Sequence, residues 1–252
     1  MPVSLILAAG GFGTRFLPPP EIAANQPQNG LPSKLFYPLN GKTILEKTIE
    51  PFLSIAEISE IVAVLPLEQV SWFNALARKK GWKKARGVRG GRTRAESVYN
   101  GLKITDAGNE LVMVHDAARP LIHKDLVRQL ILRSKSADGI ILGKKVVPTI
   151  KKVRDCTVES TVDRSELFEA ETPQIMKRKY LLKAYQRKES FKATDESSLL
   201  ESIGRTVQVL AHDGWNPKIT TYQDLKLVQA ALNQSRETRS GFGTDIHRLV
   251  AK

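Results

Sequence analysis

The chain has 252 residues, 41% of them apolar, with 39 lysines and arginines against 26 aspartates and glutamates, a formal net charge of +13. That length supports one sizeable α/β domain with room for a small appendage. The apolar run Val3 to Ala9 is too short for a signal peptide and no basic residue precedes Arg15, no stretch approaches the roughly 18 to 20 apolar residues of a membrane span, and a lone cysteine, Cys156, excludes an intramolecular disulfide.

These features point to the cytoplasm and to a passive Cys156. The positive balance suits anionic partners. Its densest cluster, "RGVRGGRTR" from Arg86 to Arg94, has no interleaved aromatic for base stacking. A basic surface around a small-anion site is therefore expected, with no nucleic acid and no membrane as partner.

In chain order, "VSLILAA" reads as a short buried strand entering a glycine turn, and "TILEKTIEPFL" as a helix with Ile44, Leu45, Ile49 and Phe52 on one face. "EIVAVLP" is a strand, and "LEQVSWFNALARKKG" a helix closed by Gly81. "ELVMVHDAARP" is a strand that runs into charge and proline. "KDLVRQLILRSKSADG" is a helix and "GIILGKKV" a strand, followed by helices at "RKYLLKAYQRK" and "YQDLKLVQAALNQ". Buried strands between amphipathic helices predict an α/β fold, Rossmann-like, with a mainly parallel sheet covered on both faces. Two segments break the rhythm. Residues 17–33 hold five prolines and read as an inserted loop. Residues 144–168 are rich in β-branched residues and read as a protruding β-arm suited to dimerisation.

The glycine turn "LILAAGGFGTRF" admits three phosphate-loop readings. A dinucleotide fingerprint needs a glycine where Phe16 stands, and a Walker A loop ending at Gly41-Lys42-Thr43 needs one where Phe36 stands. The third reading fits. Ala8, Ala9, Gly10, Gly11 and Gly13 present backbone N–H groups to a triphosphate. Arg15 adds a guanidinium fork, and Lys34 follows across the loop. Within "GGRTRAESV", Thr93 and Glu96 match a helix capping box. "VHDAARP" puts Asp116 at the carboxyl end of a strand, where it serves equally as a helix cap or as a ligand for a divalent cation.

The motifs "LAAGGFGTR…PSK", "GGRTRAESV", "VHDAARP", "TVDRSELFEAETPQ", "ATDESSLLESIG" and "NPKITTYQDL" occur in this order. Together they resemble the 2-C-methyl-D-erythritol 4-phosphate cytidylyltransferase family across roughly residues 3 to 232. The resemblance implies a nucleotidyltransferase that joins CMP from CTP to methylerythritol phosphate. Arg15, Lys34 and Lys218 would be its catalytic cations. Gly90, Gly91, Arg94 and Ser97 would join the glycine turn in holding the nucleotide, with Arg94 mainly shaping the loop. Asp116 would hold Mg²⁺. Arg119, Thr149, Arg164 and Thr172 would bind the acceptor, with Thr149 and Arg164 reaching across a homodimer interface. His115 and His123 are read as structural.

Pro148 and Trp215 depart from the family pattern, Trp215 standing where an acid is common, and Pro217 replaces an apolar residue. Another polyol phosphate such as ribitol 5-phosphate, or a weakened non-catalytic relative, are the competing readings. The domain boundary is expected near residue 234. Beyond it "SGFGTDIHRLVAK" resembles the opening of 2-C-methyl-D-erythritol 2,4-cyclodiphosphate synthase, in which Asp245 and His247 would be a vestigial metal pair at the truncated start of a second domain. No cyclase activity is expected from this chain.

Overall fold

The computed structural model describes residues 1–11, 15–19 and 33–234. Its elements begin with β1 (Val3–Ala8), β2 (Pro38–Leu39), β3 (Lys42–Thr43), α1 (Ile44–Leu53), β4 (Ile58–Leu65), α2 (Leu67–Lys79), β5 (Ala85–Arg89) and α3 (Arg94–Ile104). They continue with β6 (Leu111–Asp116), α4 (Lys124–Arg133), β7 (Gly139–Lys145), β8 (Ile150–Arg154), β9 (Thr157–Val162) and β10 (Phe168–Lys177). Last come α5 (Arg178–Tyr185), α6 (Glu196–Ser202), β11 (Val207–Ala211) and α7 (Tyr222–Gln234).

Alternation along the central strands dictates three layers. In β1, Leu5 and Leu7 enter one hydrophobic cluster and Ile6 the other; in β6, Met113 enters the first and Val112 and Val114 the second. A strand that is apolar on both faces must be covered on both. Ile49 of α1, Phe73 of α2, Leu130 of α4 and Val228 of α7 complete the first cluster. Val98 of α3, Leu181 of α5 and Leu200 of α6 complete the second. Between them lies a seven-stranded sheet in the order β11-β7-β10-β6-β1-β4-β5. Its pairings are parallel except those of β10, which runs antiparallel to β6 and β7. The expected mainly parallel, doubly covered sheet is therefore present.

The chain lays β4 and β5 outward on one side of β1, then returns to place β6 on the other side. The strand order thus reverses at β1 and β6. Adjacent loops diverge there and leave a crevice at the carboxyl ends of the strands.

Residues 150–162 form a separate two-stranded hairpin. Asp155 and Cys156, with φ of 47° and 62°, make its two-residue tip, the left-handed pair that suits a tight hairpin. Most of β8 and β9 is exposed, so the arm stands off the sheet as expected. Pro148 lies in the connection between β7 and β8 and interrupts neither strand. The predicted loop over residues 17–33 is described only in part, and Gly13, Asp245 and His247 lie outside the described residues.

Candidate active site

Several chain segments meet in the crevice. The first is the turn after β1, where Ala9 N donates to Val64 O at 3.0 Å and Ala117 N reaches Ala8 O at 3.1 Å. The second is the loop between β5 and α3. Gly90 N donates to Leu65 O at 2.7 Å, and Gly91 N donates to Ser97 Oγ at 2.9 Å. Ser97 in turn gives its hydroxyl proton to Thr93 O at 2.8 Å. A Cβ on Gly90 would lie 2.9 Å from Ser97 Oγ, and one on Gly91 2.3 Å from Glu96 Cγ, so both turns need glycine to close over α3. The predicted capping box is only half formed. Glu96 N donates to Thr93 Oγ1 at 3.1 Å, but the Glu96 carboxylate takes Arg92 N at 2.7 Å instead of Thr93 N. The carboxylate thereby tightens the loop one residue earlier.

The third segment follows β6. Asp116 is buried, and its backbone N–H donates to Thr172 Oγ1 at 3.0 Å. Lys218 Nζ lies 2.8 Å from its Oδ2, Arg94 Nε 3.3 Å from Oδ1, and Arg119 Nε 3.6 Å from Oδ2. Burial alone would raise its pKa, but the positive charges of Arg94, Lys218 and Arg119 overcome that and hold the carboxyl well below the usual range. Asp116 is therefore ionised at neutral pH.

Lys218 arrives on the strap from His212 to Thr221, which is stitched down tightly. Ile219 N donates to Ala118 O at 2.8 Å, and Lys34 Nζ donates to Ile219 O at 2.6 Å. Asn216 gives its side-chain amide protons to Glu171 Oε2 at 2.7 Å and Thr172 O at 2.9 Å, and its backbone carbonyl accepts from Arg119 Nη1 at 2.7 Å. Burial, with Lys218 and Arg15 nearby, lowers the Lys34 pKa to about 8. An anion in the crevice would restore its charge.

These segments enclose a cleft of about 320 Å³. Of the predicted residues, Ala8, Ala9, Gly10, Gly11, Arg15, Lys34, Arg94, Ser97, Asp116 and Lys218 line it. Gly90 and Gly91 do not; Arg92 and Thr93 of the same loop do. Leu35, Arg92, Ala118 and Thr220 also line it and were not anticipated. Leu35, Arg92 and Ala118 adjoin Lys34, Gly91 and Arg119, and Thr220 lies two positions from Lys218; that proximity is the only signal the sequence offers.

A second cleft, of about 450 Å³, opens on the other side of Lys218. Arg119, Lys144, Glu171, Trp215, Asn216 and Pro217 are among its walls. Asp213 is exposed and lines neither cleft. Of the predicted acceptor residues, only Arg119 lines it. Thr149 and Arg164 meet each other on the arm, with Arg164 Nη1 3.5 Å from Thr149 Oγ1, and line neither cleft of their own chain. Thr172 is buried beneath Asp116, and its hydroxyl is shared between Asp116 N and His115 Nδ1, 3.1 Å away. The ring of His115 is wholly buried between Thr172 and Arg119 O. Exposed His123 caps α4, accepting from Asp125 N at 3.4 Å.

An α/β sheet with a cleft at its switch point, walled by cations and one carboxylate, has the architecture of a nucleotidyltransferase. The model of the family "2-C-methyl-D-erythritol 4-phosphate cytidylyltransferase" matches residues 3–234. A relative of that name from Clostridioides difficile is 32% identical over 92% of this chain and 94% of its own length. The "Bifunctional enzyme IspD/IspF" of Desulfotalea psychrophila is 31% identical over 99% of this chain and 62% of its own. The crystal structure of 4-diphosphocytidyl-2C-methyl-D-erythritol synthase from Anaerococcus prevotii superposes with a TM-score of 0.77 at 28% identity, covering 92% of this chain and 98% of that one. The chain belongs to the 2-C-methyl-D-erythritol 4-phosphate cytidylyltransferase family.

Proposed function

We propose that the chain transfers CMP from CTP to 2-C-methyl-D-erythritol 4-phosphate in the cytoplasm. A phosphate oxygen of the acceptor bonds to the α-phosphorus of CTP. The bond from that phosphorus to the bridging oxygen breaks, and pyrophosphate leaves with the electron pair. The observation that carries this reading is the place of Lys218. It lines both clefts and pairs with Asp116 between them.

Both reactants are polyanions, so the protein must suppress their repulsion and steady the charge of an in-line transition state. Arg15 and Lys34 would hold the triphosphate from the first cleft, beside the backbone N–H groups of the β1 turn. Lys218 would sit at the reacting phosphate. The loop of Gly90 and Gly91, braced by Ser97, would meet the cytosine. Arg119 would draw the acceptor phosphate into the second cleft.

A divalent cation fits this donor set. Among the described residues no group of three or more His, Cys, Asp or Glu gathers into a protein-only metal cage. Asp116 is a single hard, ionised oxygen donor on the cleft wall, as suits Mg²⁺ that completes its shell from phosphates and water. Bound there, Mg²⁺ would neutralise charge on the triphosphate.

The arm would complete the acceptor site of a second copy. Thr149 and Arg164 are exposed and line neither cleft of their own chain, which leaves them free to serve a second copy. Residues 1–234 would form the transferase domain. The alignment with the bifunctional relative covers 99% of the chain and so runs past residue 234, which supports reading the tail as the start of a second domain.

Pyrophosphate release from CTP, Mg²⁺ and methylerythritol phosphate tests the proposal, with Lys34→Ala beside it. Release that needs both substrates and collapses in the variant is the expected result. Release with ribitol 5-phosphate alone would move the acceptor, and silence with both would overturn catalysis.

A further inference from the structure

Arg94 opens α3 in the wall of the first cleft, yet it gives little of itself to that cleft. Both terminal nitrogens go to Glu196, Nη1 at 2.8 Å from Oε1 and Nη2 at 3.0 Å from Oε2. Only Nε is left for Asp116 Oδ1, at 3.3 Å. Glu196 itself is 1% exposed and lines neither cleft. It touches no position open to a ligand.

Glu196 is held from behind. It lies in the first turn of α6, whose cap, Asp195, accepts from Ser198 N at 3.0 Å. Gln174 of β10 accepts from Glu196 N at 3.1 Å and Ser197 N at 3.2 Å, and donates to Asp195 Oδ2 at 3.0 Å. A continuous set of hydrogen bonds thus runs from the sheet through α6 to Arg94 and ends on Asp116.

A bidentate carboxylate fixes the plane of a guanidinium, which a single contact does not. It also offsets the charge. Three cations lie within 3.6 Å of the Asp116 carboxylate. Left unbalanced, that surplus would repel any further cation approaching Asp116. Glu196 is the acid that fully engages one of the three.

We propose that Glu196 is a positioning residue for nucleotidyl transfer. It locks Arg94 edge-on to Asp116 and balances its charge, so that Asp116 keeps its affinity for a divalent cation. The proposal rests on reading the first cleft as the CTP site with Asp116 as its metal carboxylate.

The test is calorimetric. CTP affinity is measured with and without Mn²⁺, and the ratio isolates the cation's contribution by linkage. Glu196→Gln keeps the shape and removes the charge. Its ratio is expected to fall about 10- to 100-fold below the native one, as for other residues that orient a metal ligand, with CTP affinity in the absence of Mn²⁺ within about threefold of native. Should this variant fail to fold, Glu196→Asp keeps the charge but is one methylene too short to hold both nitrogens, and its ratio is expected to fall in the same direction. A native ratio in either folded variant, with only a lowered melting temperature, would reduce Glu196 to a strut between α3 and α6 and overturn the proposal. No Mn²⁺ effect in the native chain would instead remove the underlying reading of Asp116.

Discussion

Lys218 and Asp116 form an ion pair at 2.8 Å, and Lys218 is common to the linings of both clefts. The pair joins a fixed strand end to a strap that is tied down at Asn216 and Ile219. With the first cleft as the proposed CTP site and the second as the proposed acceptor site, this pair would hold charge of both in one place before either substrate arrives. Such preorganisation costs no rearrangement at the moment of reaction.

Asp116→Asn is expected to lose at least about 100-fold in kcat, because it removes both the proposed metal ligand and the counter-charge of Lys218. It should also change the pH dependence of stability. A carboxyl with a depressed folded pKa stabilises the fold above its unfolded value and loses that contribution as pH falls through the folded one. The native protein should therefore lose this group's stability as pH falls from the ordinary aspartate value of 3.8 toward the lower folded one. The variant should lack that acid component. Urea unfolding of both from neutral pH down to the most acid pH at which the fold survives measures the difference.

Lys34 should set a basic limb. Its pKa near 8 in the free protein means that half the molecules lack its charge at that pH. The triphosphate needs the charged form, so kcat/KM for CTP should fall as pH rises through about 8, as expected of a group in the free enzyme. Lys34→Arg, which keeps its charge, should move that limb to higher pH. CTP binding near pH 8 should take up a proton, visible as a buffer-dependent binding enthalpy. Stability runs the other way. The folded pKa lies below the unfolded one, so this group's contribution rises from about pH 8 toward the ordinary lysine pKa of 10.5. A buffer-independent binding enthalpy at pH 8 would show that Lys34 keeps its proton throughout.

The fold class was legible because β1, β4 and β6 are apolar on both faces while the helices between them are apolar on one. β10 was not, since it buries Glu171, Thr172 and Gln174 at the sheet's centre, and a strand of buried polar residues looks like a loop. β5 was hidden in a stretch read for its arginines. At the site, Arg15, Lys34, Asp116 and Lys218 stand in recognisable motifs and line one cleft. Glu196 also stands in one of the motifs, "ATDESSLLESIG", but no role could be read for it there. It sits in "TDESS", a polar run like any surface turn, and only the folded chain brings it against Arg94, 102 positions earlier. The hydroxyl of Thr172 could be assigned to a substrate from its motif alone, and only the fold directs it at Asp116 N.

Ser97→Ala should separate the nucleotide site from the acceptor site. The hydroxyl links Gly91 N and Thr93 O, so its loss frees a loop and leaves a partly buried N–H unpaired. A stability loss of about 1–2 kcal/mol is expected, together with a several-fold rise in KM for CTP. KM for methylerythritol phosphate should not change, because Ser97 is absent from the second cleft. Equal increases for both substrates would indicate that the two sites are not separable in this way. Steady-state kinetics with each substrate varied at saturating levels of the other decide it.

Arm exchange predicts complementation between two dead proteins. Arg164→Ala spoils the arm that would serve the partner's cleft, and Asp116→Asn spoils the cleft. Each homodimer should be nearly inactive, the first with a raised KM for the acceptor and a native KM for CTP. Mixed after reversible dissociation, half of the dimers pair one variant with the other. One of the two sites in each such dimer then combines an intact cleft with an intact arm. Activity should recover to about a quarter of native, the statistical limit for a two-fold dimer. A contact made within one chain gives no recovery, because each chain then carries its own defect. Native mass spectrometry of the same mixture shows whether heterodimers formed, and heterodimers without recovered activity would overturn arm exchange.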